Sequence, residues 1–151
     1  MTERLLDSAW QYVGGILHLE DLPMLAAHAL ADGDDSTALR ELAGLSRRDD
    51  PAGIRELYHR ALHELDIALP DDETAGRRVL LDRAQGLLQG DLTAVEAANG
   101  LFGAAALTPE ETHFLDTAAV YSEWLLPALL PGWERELRAA ALALVAAAGR
   151  P

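Results

Sequence analysis

The stretch ELYHRALHE, residues 56 to 64, sets Glu56, His59 and His63 at helical spacing, as overlapping Glu-x-x-His and His-x-x-x-His pairs. The segment PEETH repeats the first spacing with Glu110 and His113. Two Glu-x-x-His pairs on different helices are the kernel of a carboxylate-bridged di-iron bundle, whose ligands project into the interior. Helical phase tests that chemistry. At about 100° per residue, Ile54, Leu57, Tyr58, Ala61 and Leu65 form the buried face of their helix, and Glu56, His59 and His63 fall opposite. Glu110 sits in a first helical turn, where free amides favour an acid. His113 lies off the stripe of Phe114, Ala118, Tyr121 and Leu125. A buried metal centre is therefore not expected. What remains is a solvent-facing Glu56, His59, His63 trio with spacing suited to Zn or Ni.

Other chemistry is thinner. The loop DGDDST, read as a calcium loop from Asp32, has Thr37 and Ala43 where Gly and Glu are required. Ser8, Ser36, Ser46 and Ser122 stand in no Gly-x-Ser-x-Gly elbow. Ser122 is expected on an apolar helical face, bonded back to a carbonyl one turn earlier. Gly14-Gly15 forms no phosphate loop, and no Walker or Gly-x-Gly-x-x-Gly motif is present, so no nucleotide or other cofactor is expected. The aromatic-rich run FLDTAAVYSEWLLPALLPGW is the richer ground. Tyr121, Glu123, Trp124 and Trp133 fall in it, and with Trp10 and Tyr12 of the first helix they could line an apolar pocket. Glu123 would be the only acid/base there.

The elements that position these residues read as helices from end to end. They are expected at about residues 2–18, 21–32, 37–45, 51–66, 72–89, from 91 or 93, from 109, and 133–148, with Asp50-Pro51 and Thr108-Pro109-x-Glu111 as starts. No solenoid repeat and no Gly-, Ser- or Pro-rich linker interrupts them, which predicts an all-α single domain over residues 1–151, a compact bundle or orthogonal array of seven to eight short helices. The last helix, LRAAALALVAAAG, is apolar all round beyond Arg138, so it is expected to be buried on every side, as a core helix or against another chain, a second copy included.

The chain has 151 residues, a formal net charge of -13 and no cysteine. The last fact excludes disulfides and thiolate sites. All its basic residues are arginine, and the pairs Arg47-Arg48 and Arg77-Arg78 are flanked by acids, so nucleic-acid binding is not expected. No run is long and apolar enough for a membrane span, and the N-terminus lacks a signal-peptide pattern; a cytoplasmic location is the expectation.

Three segments, DDSTALRELAGL, IRELYHRALHELDIALP and AQGLLQGDLTAVEAANGLF, follow in an order that resembles small all-helical proteins of GC-rich bacterial genomes sharing an LRELAGL-type helix. The similarity spans roughly residues 30–123. It implies a helical fold and transfers no functional residue. Two functions stay open. One is a non-catalytic protein of immunity, antitoxin-like or regulatory kind, whose acidic surface and apolar C-terminal helix meet a basic protein partner. The other is a small helical enzyme or ligand-binding protein using the Trp10, Tyr121 and Trp124 pocket.

Overall fold

A computed structural model describes residues 3–101, 106–122 and 124–150. The fold is all-α: eight α-helices and two single 3-10 turns, with no strand among the described residues. The polypeptide divides into two compact units, Met1–Asp71 and Asp72–Pro151, each with its own apolar core. No described helix is long and apolar enough to cross a membrane.

The first unit holds α1 (Glu3–Val13), α2 (Leu22–Ala31), α3 (Thr37–Ala43) and α4 (Pro51–Glu64), with a 3-10 turn at Leu19–Asp21. The first helix is shorter than its apolar stripe predicts. It stops at Val13 because Gly15 takes φ +79°, and the Ile16 amide then reaches back to the Gln11 carbonyl at 2.9 Å. That left-handed step with a six-to-one bond is a Schellman ending, which satisfies carbonyls the helix would leave bare. Ile16 and Leu17 therefore lie beyond the helix, not on it. Ser36 caps α3 by accepting from the Leu39 amide, and Asp50 with Pro51 opens α4. Asp66, at φ 57°, closes α4 in the same way as Gly15 closes α1, with the Ile67 amide on the Leu62 carbonyl. Leu5, Leu22, Leu39, Leu42, Ile54 and Tyr58 make the centre of this core.

The second unit holds α5 (Asp72–Gln89), α6 (Ala94–Ala98), α7 (Pro109–Ala119) and α8 (Leu130–Ala148), with a 3-10 turn at Pro127–Leu129 leading into α8. Helices α5 and α7 both pack on α8. Thr93 caps α6, and Thr108 with Glu111 forms the reciprocal capping box expected for α7. Arg138 donates to the Leu87 carbonyl in the last turn of α5, so its guanidinium caps the C-terminal end of that helix. Phe114, Trp133, Leu137, Leu80 and Leu87 fill the core.

One expectation fails in this unit. The aromatic run does not continue as helix to Leu125; α7 ends at Ala119. The Thr117 carbonyl, which a continuing helix would offer to the Tyr121 amide, instead accepts the Trp133 indole N–H at 2.8 Å, and the Tyr121 amide turns to Ala118. Ser122 is consequently an exposed turn residue rather than part of an apolar helical face. Within this chain α8 is covered on one side. Its inner face, Trp133, Leu137, Ala140, Ala141 and Leu144, is buried, but Ala139, Leu142, Ala143 and Ala146 are not all covered: Leu142 keeps 62% of its surface, and Ala139 and Ala143 are exposed. Beyond Arg138 most of the outward positions are alanines, which hold the helix by propensity and expose little apolar area each.

Candidate functional site

Helix α4 carries Glu56, His59 and His63 on its exposed side, opposite Ile54, Tyr58, Ala61 and Leu62, as helical phase requires. The three side chains do not converge. Glu56 is paired with Arg60 one turn on, at 2.8 Å, and His59 Nε2 lies 3.1 Å from the Tyr12 hydroxyl. Among the described residues no group of three His, Asp or Glu could hold a metal ion. In α7, His113 is exposed and Glu110 is a first-turn residue.

The aromatic candidates separate into different roles. Trp10 is half-buried on α1 and its indole donates to Asp7 at 3.1 Å. Tyr12 packs edge-on against Tyr58, with ring centres 5.0 Å apart. In the second unit Trp133 is a core residue, 4% exposed, stacked at 5.1 Å on Tyr121 with its N–H spent on Thr117. Glu123 lies outside the described residues. Trp124 is the exception: it is 89% exposed. Val120, Leu126 and Leu129 of the same segment are 60%, 64% and 55% exposed. Four large apolar side chains of one short segment are therefore exposed, none of them on the expected stripe of Phe114, Ala118, Tyr121 and Leu125.

Two buried polar arrangements were not legible as sites. The Ser8 hydroxyl donates to the Leu5 carbonyl at 2.7 Å and shares a 2.8 Å hydrogen bond with the Tyr58 hydroxyl. Burial pushes the Tyr58 phenol up to about 12, against a smaller opposing pull from the Ser8 bond. This pair ties α1 to α4 and is closed to solvent, which suits a structural role.

The second arrangement centres on Glu111, only 4% exposed. Arg77 Nε meets both its oxygens, at 3.1 and 2.9 Å, and the Thr108 amide donates to Oε1 at 3.1 Å. Burial pushes the carboxyl up, but the Arg77 and Thr108 hydrogen bonds together outweigh it and hold the group below its ordinary value. The same contact raises the Arg77 guanidinium. Beside this pair opens a cleft of about 360 Å3, lined by Thr74, Arg77, Arg78, Leu81, Thr108, Glu111, Leu144, Ala147 and Ala148. The Arg77-Arg78 pair and the capping-box spacing were visible in sequence; the buried ion pair across 34 positions was not.

No protein-family model, curated protein or solved structure matches the sequence.

Proposed function

We propose that the protein is a non-catalytic binding module that docks a basic protein partner through the apolar turn at residues 120–129, with Trp124 as the anchor. The observation that carries this is the 89% exposure of Trp124 beside exposed Val120, Leu126 and Leu129. Isolated surface leucines are ordinary, but a run of exposed apolar residues flanking a bare tryptophan in the sequence has the composition of interface hot spots. The partner's charge follows from the surroundings. Between residues 112 and 136, Asp116, Glu123, Glu134 and Glu136 stand against Arg135 alone, within a protein of net charge -13. A basic rim around an apolar pocket complements that pattern, whereas a second copy would set like charges against each other. Immunity, antitoxin-like and regulatory proteins are of this kind.

The test places a photo-crosslinking residue at Trp124 and, as a control, at exposed His63 on α4, in cells of the source. A basic protein crosslinked from position 124 and not from 63, which then binds the pure protein and loses affinity for Trp124→Ala, supports the reading. Equal crosslinking from both positions, or a purified partner indifferent to Trp124→Ala, overturns it.

A further inference from the structure

We propose that the cleft bounded by α5, the start of α7 and the end of α8 binds a small amphipathic carboxylate, with Arg77 holding the carboxylate and the apolar wall holding its body. The site is separate from the turn at residues 120–129 and does not rest on the reading given to that turn.

A guanidinium presents two edges that can each receive a carboxylate, one at Nε and one formed by the terminal nitrogens. Glu111 engages Nε with both oxygens, and no terminal nitrogen of Arg77 has a hydrogen-bond acceptor among the described residues. Glu111, buried and also receiving the Thr108 amide, acts as the positioning residue that fixes the guanidinium at the edge of the cleft. Arg77 itself remains 47% exposed, so its terminal edge is accessible. The fork geometry of that edge matches a planar carboxylate.

The rest of the cleft fits the rest of such a ligand. Arg78 adds a second positive charge to the rim, and Thr108, whose oxygen accepts from the Glu111 amide, keeps a hydroxyl proton to donate. Glu73, one turn before Arg77, adds a weaker acidic field to that of Glu111, and both hold the guanidinium above its ordinary value. Leu81, Leu144, Ala147 and Ala148 supply an apolar wall. A volume of about 360 Å3 holds roughly twelve heavy atoms at about 30 Å3 each. That is a carboxylate on an acyl tail or aryl ring of modest size. A cation is disfavoured because the carboxylate lining the cleft already accepts from Arg77 and the Thr108 amide and is neutralised by the guanidinium.

Octanoate is the probe, titrated into the full-length protein and followed by backbone amide shifts. The expected result is a saturable single site, with shifts at Arg77, Leu81, Thr108 and Ala147. Octylammonium and acetate, each lacking half of the chemistry, should bind at least tenfold more weakly. Arg77→Met should weaken octanoate at least tenfold, while Arg60→Met on α4 leaves it unchanged. Ala147→Phe fills the apolar wall without touching the ion pair and should abolish binding, so it carries the test should Arg77→Met fail to fold. Octanoate shifts scattered outside the cleft, equal binding of octylammonium, or full affinity in either cleft variant would overturn the proposal.

Discussion

Tyr58 and Glu111 are both buried ionisable groups, yet their surroundings drive them in opposite directions. Tyr58 sits among apolar neighbours with a single neutral partner, so burial dominates and the phenol is held protonated to about pH 12. Its folded-state value lies above the unfolded 10, so its contribution is intact below pH 10 and is lost as pH rises toward 12. Over that whole window the loss is about 3 kcal/mol. Urea melts of the wild type and Tyr58→Phe between pH 9 and pH 12 check this: the wild type should lose stability across that range by more than the variant does. Glu111 has charged and amide donors, and its value is lowered below the ordinary 4.5. Stability from that ion pair is therefore present above pH 4.5 and disappears as pH falls through the folded-state value. Glu111→Gln should be less stable than the wild type at neutral pH. The gap should close in acid, as read by melts from pH 7 to pH 3.

At the scale of elements, the endings are more telling than the beginnings. Gly15 at φ +79° has open space where a Cβ would go, so Gly15→Ala tests backbone strain without a clash. It should cost about 1–2 kcal/mol, seen as a lowered urea midpoint with an unchanged slope. Four helix starts were readable because a cap is a local event: Ser36, Asp50, Thr93 and Thr108 each act on an amide two or three positions on; α8, with no side-chain cap, begins at Leu130 rather than the expected Trp133. The exposed side of α4 was readable because phase alone determines it. The end of α7 was not, since it depends on Trp133, sixteen positions away, taking the Thr117 carbonyl. The cleft was not either, because Arg77 and Glu111 meet only when α5 and α7 pack. Nor does the apolar circumference of α8 reveal which alanines can remain in water; their small area makes exposure cheap.

Taken whole, the molecule joins two apolar cores to a strongly acidic surface and one bare aromatic turn. The charge and the turn contribute different things to association. A net charge of -13 would attract the proposed basic partner over a distance set by screening, and so would set the rate of encounter. Raising salt from 0.05 to about 0.5 M should slow association roughly tenfold or more while leaving dissociation nearly unchanged, measurable by surface-immobilised kinetics. On the proposed reading Trp124 would instead set how long the complex lasts, because burying an indole removes a large apolar area from water. The most direct test is the affinity of the purified partner for the full-length protein and for Trp124→Ala, measured by calorimetry beside a thermal melt of each. The account predicts at least a tenfold loss of affinity, about 1.4 kcal/mol or more, with an unchanged melting temperature because Trp124 supports nothing in the fold. An affinity that survives the substitution would contradict it.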